Sequence, residues 1–342
     1  MPAGATLNWY TYRLADHVVQ ANFELVELEP GWEGGPEIRC ELLPPIVEHA
    51  EPREWFHGWR LPGDGSWWMQ AAEADGEYLL RFPGLLDARV SADGTRVRCL
   101  PLHGTPMETV RHLLLDQVLP LAIGLGGDLV LHAAALAVQG QAVAILGPTG
   151  SGKSTLAAWL GRHGCTLLTD DCLVVREGAG EWCALPYYGG FRLWPDNLAA
   201  LLPGETAVAG MAHYSRKQRV VEPEGWRAAA VARPLRHLCF LQPAPEPADS
   251  GEVTIDPLPP REAMMSLVRA SFLLEIRSPH VLARQFDAIG RLVDAVPSAA
   301  LRYPRVHAAL ADVHDAIRTR LLVDEAAGVS RCAPEDPPAR DR

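Results

Sequence analysis

The spacing of hydrophobic and polar positions divides the chain of 342 residues into stretches of different secondary structure. Residues 1–105 hold short alternating or aromatic runs between Pro, Gly and Asp turns, a pattern typical of β-strands. Residues 106–323 start with a helical pattern, continue as short strands and end in three segments of helical spacing. From residue 324 onward charge, Ala and Pro dominate, which indicates a disordered tail. We therefore predict an α/β (α+β) chain with a β-rich N-terminal region 1–105, a main domain 106–323 and a tail 324–342.

The same spacing predicts the individual elements. Strands are predicted at 7–14, 38–43, 66–72, 78–82, 89–91, 96–102, 129–138, 142–146, 165–169, 173–175, 182–185, 235–241 and 252–257. Helices are predicted at 106–123, 156–163, 197–202, 261–275, 281–295 and 304–322. Only three residues separate the runs at 129–138 and 142–146, and a crossover between parallel strands takes a dozen or more. These two strands are therefore predicted to form an antiparallel hairpin.

A glycine-rich loop follows the second strand of that hairpin. The sequence Gly147-Pro-Thr-Gly-Ser-Gly-Lys-Ser-Thr155 matches the P-loop pattern G-x-x-x-x-G-K-[ST], between a strand and a helix as that motif requires. Its glycines let backbone N–H groups surround a polyphosphate, towards which the next helix directs its positive end. The loop predicts binding of ATP with Mg²⁺, the latter at the Ser154 hydroxyl. The predicted nucleotide-binding residues are Gly147, Thr149, Gly150, Ser151, Gly152, Lys153, Ser154 and Thr155.

Two adjacent carboxylates follow the next predicted strand. Asp170 and Asp171 lie seventeen and eighteen residues after Lys153, a distance that returns the chain to the phosphate edge of the sheet. One carboxylate could accept a proton from an attacking hydroxyl, and the other could hold Mg²⁺. The alternative is a plain Asp-Asp turn. His132 lies fifteen residues before Gly147, near the same edge. A lone histidine in an apolar strand is more often structural than functional, and both interpretations stay open.

Composition excludes several classes of protein. A net charge of −11 disfavours a general nucleic-acid binder. The seven cysteines form no CxxC pair and lie far apart, as expected of reduced thiols in a cytoplasmic protein. The N-terminus has no signal-peptide pattern, and charged residues, Pro and Gly interrupt the apolar stretch at 113–138. We expect a cytoplasmic protein without a membrane or nucleic-acid partner.

Three of these features together resemble HPr kinase/phosphorylase and the wider family of HPr-kinase-like proteins. That family has Leu-His about fifteen residues before the P-loop, a short turn into the P-loop strand, and an Asp-Asp motif about seventeen residues after the P-loop lysine. Here these are Leu131-His132, Gly147–Ser154 and Thr169-Asp170-Asp171. The resemblance covers roughly residues 106–242. In addition, Tyr10–Leu14 is similar to the β-rich leader of members found beside peptide-modification genes, including lasso-peptide kinases.

The resemblance implies a fold related to phosphoenolpyruvate carboxykinase, with a mixed sheet around the P-loop. It implies Mg-ATP-dependent phosphorylation of a serine hydroxyl in a protein or peptide substrate. Asp170 would be the general base, Asp171 and Ser154 would hold the metal, and His132 would lie beside the transferring phosphate. The implied catalytic residues are Asp170, Asp171, His132 and Lys153. Related enzymes form hexamers, so a homo-oligomer stays open.

The sequence also departs from the family pattern. The bifunctional members have Glu-Ile-Arg-Gly after the Asp-Asp strand, whereas this chain has Gly190-Phe-Arg-Leu193, so only Arg192 is carried over, as a nucleotide-binding residue. The basic segment 213–219 could contact phosphate or an acidic substrate, or be a solvated loop. Two alternatives stay open: a P-loop kinase of small molecules, and a nucleotide-sensing or peptide-binding module without turnover. The acceptor and the choice between ATP and GTP are not predicted.

Overall fold

A computed structural model describes residues 8–52, 54–61, 63, 65–178, 180–204, 209, 210, 212, 215–220, 227–243, 251–272 and 278–321. These residues form a mixed α/β structure in two compact units. The first unit holds the chain up to Gly127, and the second holds almost all described residues from Asp128 onward. The boundary thus falls after a helical segment that the sequence assigns to the main domain, because residues 107–126 cluster with the N-terminal strands.

The first unit is built on strands. They are β1 (Tyr10–Leu14), β2 (His17–Ala21), β3 (Glu29–Pro30), β4 (Glu37–Leu42), β5 (Trp55–Arg60), β6 (Trp67–Ala74), β7 (Glu77–Phe82), β8 (Leu86–Ser91) and β9 (Arg96–Pro101). Helices α1 (Met107–Leu113) and α2 (Leu119–Gly126) follow, joined by the π-helical turn Leu114–Val118. Within the described residues the sheet has nine strands in the order β3-β1-β2-β4-β9-β8-β7-β6-β5. The β-rich region is therefore one continuous sheet.

Tight turns fix the register of this sheet. Asp93 accepts hydrogen bonds at Oδ1 from the Ser91 and Thr95 hydroxyls, and Gly94 takes a φ of 75°. This closes the β8–β9 hairpin between the strands predicted at 89–91 and 96–102. A Cβ on Gly94 would lie 2.0 Å from the carbonyl oxygen of Ala122, so the turn also packs closely on α2.

The second unit contains the remaining strands. They are β10 (Leu129–Val138), β11 (Gln141–Leu146), β12 (Thr166–Thr169), β13 (Cys172–Gly178), β14 (Glu181–Leu185), β15 (Phe191–Leu193), β16 (Ala209–Gly210), β17 (Gln218–Val220), β18 (Arg227–Ala228), β19 (Arg233–Leu241), β20 (Thr254–Pro257) and β21 (Ser298–Arg302). Its helices are α3 (Lys153–Arg162), α4 (Pro195–Leu201), α5 (Pro260–Ala270), α6 (Pro279–Ala295) and α7 (Leu310–Ala316), with a 3₁₀ turn His307–Ala309 and a π-helical turn Ile317–Leu321.

The main sheet of this unit is mixed. Strand β10 pairs antiparallel with β11, and β11 pairs parallel with β19, which in turn pairs parallel with β21. The predicted hairpin is thus confirmed, and its turn residues Gln139 and Gly140 take φ values of 52° and 85°. Positive φ at both positions is the type I′ geometry that matches the twist of two-residue hairpins. A small separate sheet has the order β15-β17-β16.

Alternation along the strands divides the core of this unit into two layers. In β10, Ala134 and Leu136 belong to one buried cluster, whereas Ala133 and Ala135 belong to the other. Because successive side chains of a strand point to opposite faces, helices cover both sides of the sheet. The first layer contains α3, α4 and α7, and the second contains α5 and α6. The P-loop helix α3 therefore packs on one face of the sheet, and its N-terminus follows the loop at the C-terminal end of β11.

Several local predictions differ from the structure. Eight strands have no predicted counterpart, namely β2, β3, β5, β15, β16, β17, β18 and β21. The helix predicted at 304–322 breaks into short turns around α7. The predicted tail 324–342 lies outside the described residues. Among the described residues, five cysteines are free and buried, namely Cys40, Cys99, Cys165, Cys172 and Cys239. Cys183 is disulfide-bonded and so departs from the expected reduced set. Within the described chain, no helix is long and apolar enough to cross a membrane.

Candidate functional site

The P-loop runs from the end of β11 to the start of α3. Its backbone takes φ values of 153° at Gly147, 82° at Gly150 and 94° at Gly152, where residues with a Cβ are strained. A Cβ on Gly147 would also lie 2.8 Å from the Ser151 hydroxyl oxygen. The N–H of Ser151 donates to the carbonyl of Pro148 at 3.1 Å, which closes the loop on itself. The glycines are therefore required by the shape of the loop.

Lys153 is buried and folded back over this loop. Its Nζ donates to the carbonyl oxygens of Gly147 at 2.8 Å and Pro148 at 3.3 Å. Burial lowers the pKa of Lys153, an effect opposed by the nearby carboxylates of Asp171 and Asp170 and reinforced by the charge of Lys217. The lysine thus places a positive charge between the loop and the carboxylate pair.

Asp170 follows β12 and is 3% exposed. Its Oδ2 accepts the backbone N–H of Arg192 at 2.8 Å, whereas its Oδ1 is buried with no hydrogen-bond partner among the described residues. Burial raises the pKa of Asp170 to about 6, against the lowering effects of Arg192 and of a hydrogen bond from Ser154. A buried acceptor oxygen without a donor normally indicates a missing ligand, because such a group costs free energy.

Asp171 lies in a different environment, although it is the next residue. Its Oδ1 is 3.1 Å from His132 Nδ1, and its Oδ2 is 2.6 Å from Arg192 Nη1. Burial alone would raise the pKa of Asp171, but the charges of His132 and Arg192 outweigh it and hold the pKa well below the usual range. Asp171 is therefore ionised and paired on both oxygens.

Strand register brings His132 to this carboxylate. The β10–β13 pairing sets His132 opposite Cys172, and the N–H of Ala133 donates to the carbonyl of Asp171 at 3.0 Å. The His132 ring also contacts the Phe272 ring edge-on, with 6.4 Å between centroids. The histidine that the sequence places near the phosphate edge thus lies against the second carboxylate of the pair.

Arg192 and Arg219 share one aromatic partner. They are directly opposite each other in the β15–β17 pairing, and their guanidinium carbons lie 5.2 Å and 5.1 Å from the centre of the Tyr188 ring. Arg192 also donates to the Tyr188 hydroxyl, and Arg219 donates to the carbonyl of Gly189 at 2.9 Å. Tyr188 belongs to no sequence motif and was not predicted.

The basic segment 213–219 is described only in part. The charge of Lys217 lowers the pKa of Lys153, and the Arg216 side chain is exposed. His213 and Tyr214 lie outside the described residues.

The sequence predicts Ser154 and Asp171 as the ligands of a metal. In the structure Asp171 lies against two basic groups, with Oδ1 at 3.1 Å from His132 and Oδ2 at 2.6 Å from Arg192. The Ser154 hydroxyl and the carboxylates of the Asp pair are oxygen donors, as Mg²⁺ prefers. These residues fit Mg²⁺, with Ser154 and Asp171 as the predicted ligands and the Oδ1 of Asp170 left without a partner among the described residues.

A cavity of about 490 Å³ opens beside the P-loop. One wall is the loop itself, from Pro148 to Gly152 with Thr155, and the other includes Tyr303, Arg305, Val306 and Leu310. The Arg305 guanidinium lies 4.0 Å from the centre of the Tyr303 ring and donates to the carbonyl of Gln242 at 2.6 Å. This wall was also missed in the sequence, because it follows β21, which had no predicted counterpart. A mostly apolar cleft with a few polar groups is typical of a small-molecule site.

Comparison with known proteins adds little to this geometry. No family model matches the chain, and no curated protein matches it. Among the solved structures that match is the Hpr(Ser) kinase/phosphatase from Coxiella burnetii, at 12% identity over 55% of this chain and 93% of that one, with a TM-score of 0.29. The likeness is weak and carries no information on the chemistry of this site.

Proposed function

We propose that this protein is a Mg-ATP-dependent kinase that phosphorylates a serine hydroxyl in a protein or peptide. The observation that carries the proposal is the unpartnered Oδ1 of Asp170, buried beside a P-loop and its lysine. A general base must lie within reach of the proton that it takes and must be ionised at working pH. A pKa of about 6 leaves Asp170 ionised at neutral pH and still basic enough to accept a proton.

The residues of the site have separable roles in this proposal. When bound, Mg-ATP supplies the transferable phosphoryl group and neutralises part of its charge. The backbone N–H groups of residues 149–153 and the Lys153 ammonium bind the phosphates, and Asp170 takes the proton of the acceptor hydroxyl at Oδ1. Asp171 holds Arg192 in position, and the cavity beside Tyr303 and Arg305 accommodates the nucleoside. Such a kinase works where ATP is available, so we place it in the cytoplasm.

A module that binds nucleotide without turnover is the second candidate. The observation in its favour is that both oxygens of Asp171 are occupied by His132 and Arg192. In that case the carboxylate pair would only organise the site, and ATP would be bound without being consumed.

The nature of the acceptor is tested with labelled ATP. We expect the protein to transfer the γ-phosphoryl group of ATP to serine-containing peptides and not to the same peptides with alanine in place of serine. A parallel panel of nucleosides and hydroxy acids provides the control. Transfer to one of those small acceptors, with the peptides left unlabelled, would replace the proposal by a small-molecule kinase.

A further inference from the structure

Arginines crowd one face of the sheet in the first unit. Arg39 in β4 lies directly opposite Arg96 in β9, and Arg98 in β9 lies directly opposite Arg89 in β8. Directly opposed residues share a face, and residues two apart in a strand also share one. The four side chains therefore form a ladder across three adjacent strands.

Like charges directly opposite each other destabilise a sheet. Acidic neighbours offset part of this repulsion: Glu41 lies 3.5 Å from Arg39, Glu77 bonds Arg98, and Asp75 lies 3.3 Å from Arg89. Arg96 is exposed and has no ion-pair partner among the residues that the structure describes. Folding alone does not explain an arginine at this position.

Three arginines of the ladder line a groove of about 400 Å³, which we call the arginine groove. It consists of Arg39, Glu41, Glu77, Arg96, Val97 and Arg98. The guanidinium of Arg39 lies 3.9 Å from the centre of the Trp9 ring, a contact that fixes the side chain at the edge of the groove. In a chain of net charge −11 this is a local reversal of sign.

We propose that the arginine groove binds an acidic peptide segment through the carboxylates of its Asp or Glu side chains. Guanidinium groups pair with carboxylates in a bidentate manner, and Arg96 is the group left over for such a pair. The two glutamates of the groove can accept hydrogen bonds from the backbone N–H groups of a peptide, which the sugar-phosphate backbone of a nucleic acid lacks. The charge pattern thus favours an acidic peptide over nucleic acid. This binding does not depend on phosphoryl transfer.

The test uses a fluorescein-labelled hexaglutamate peptide, read by fluorescence anisotropy against the full chain. We expect saturable binding at about 50 mM salt that weakens at about 300 mM, because exposed charges are screened by salt. Arg96→Gln should weaken binding at least about fivefold. Arg96→Lys should weaken it less, because lysine keeps the positive charge but cannot form the bidentate pair of a guanidinium group. Arg302→Gln, which removes an exposed arginine paired with Asp256 in the second unit, serves as the matched control and should bind as wild type.

Thermal unfolding separates this role from a structural one. If Arg96 serves binding, Arg96→Gln keeps or raises the melting temperature, since it relieves the repulsion from Arg39. A lowered melting temperature with unchanged peptide affinity would overturn the proposal. So would equal affinity for hexalysine, or tighter binding of a single-stranded oligonucleotide of matched charge, which would make the groove a nucleic-acid site.

Discussion

Asp170 and Asp171 are adjacent in the chain, yet their carboxyl groups have opposite properties. Burial raises the pKa of Asp170 to about 6, whereas the charges of His132 and Arg192 hold the pKa of Asp171 well below its usual range. The guanidinium of Arg192 pairs with Asp171, while only its backbone N–H reaches Asp170. The Asp170 carboxylate is therefore basic enough to accept a proton, whereas the Asp171 carboxylate stays ionised and ion-paired. Such a difference suits a general base beside a carboxylate that positions its neighbours.

This division predicts how stability depends on pH. The folded state binds the Asp170 proton more tightly than the unfolded chain, so its stabilising effect is complete below the unfolded pKa and is lost as pH rises through about 6. Asp170→Asn keeps an acceptor for the Arg192 N–H without the charge. By urea unfolding at about pH 8 we expect it to be more stable than wild type by up to roughly 3 kcal/mol, a gain that shrinks between about pH 6 and about pH 4.

Asp171→Asn is the matched control and should have the opposite sign. It removes the charge that pairs with His132 and Arg192, so we expect lower stability than wild type at about pH 8. If Asp170→Asn were less stable than wild type at that pH, other groups in the folded protein would have to stabilise the ionised Asp170 carboxylate. Its pKa would then not be raised, which would contradict this account.

The Lys153 ammonium should matter for nucleotide affinity. Lys153→Ala removes a buried cation that lies over the loop carbonyls, and hydrogen bonds to charged groups contribute about 1.5–3 kcal/mol. We expect ATP to bind at least about tenfold more weakly by calorimetry. Arg162→Ala removes a cation from the far end of the same helix and should leave the affinity unchanged. Unaltered affinity in Lys153→Ala would refute the phosphate-binding role of the loop.

At the scale of single residues, the sequence predicted the residues of the site that belong to short motifs. The P-loop glycines, Lys153 and the Asp pair are specified by spacing within one strand–loop–helix segment and the strand after it. Tyr188 and Arg305 could not be predicted, because pairing of β15 with β17 and the distant end of β21 set their positions. The assignment of a metal to Ser154 and Asp171 stays a prediction, and the ion pair of Asp171 with Arg192 could not be predicted from the sequence.

Among the elements, the β10–β11 hairpin and the P-loop helix were predictable, and β21 was not. The hairpin follows from a link too short for a crossover. Strand β21 reads Ser-Ala-Ala-Leu-Arg and lacks the β-branched residues typical of strands, so only its pairing between β19 and β20 makes it a strand. Its context in the sheet overrides its weak intrinsic preference.

The turn from the P-loop into α3 should depend on Gly152. Its φ of 94° strains any residue with a Cβ, although a Cβ there would be 3.6 Å from the Tyr303 hydroxyl oxygen, an ordinary contact. We expect Gly152→Ala to cost about 1 kcal/mol or more of stability and to weaken ATP binding, measured by thermal unfolding and calorimetry. Gly290→Ala in α6, where a Cβ meets open space, should be neutral or stabilising. Equal effects of the two changes would contradict the strained geometry.

For the whole molecule, the proposed chemistry lies within the second unit and the proposed peptide groove within the first. The N-terminal sheet was expected from its alternating pattern, but the unit boundary was not, because the helical segment at 107–126 carries no signal for which core it joins. The spacing of apolar residues in a helix shows that one face is buried. It does not show which other element that face packs against. Proposals about each unit can therefore be tested separately.

The most direct test compares ATP binding with phosphoryl transfer in wild type and Asp170→Asn. We expect both proteins to bind Mg-ATP with similar affinity by calorimetry, and only wild type to transfer labelled γ-phosphate to serine peptides, with a loss of at least about a hundredfold in the variant, as for removal of a general base. Two results would contradict the kinase proposal: transfer by Asp170→Asn at the wild-type rate, or a wild-type protein that binds ATP and labels no acceptor.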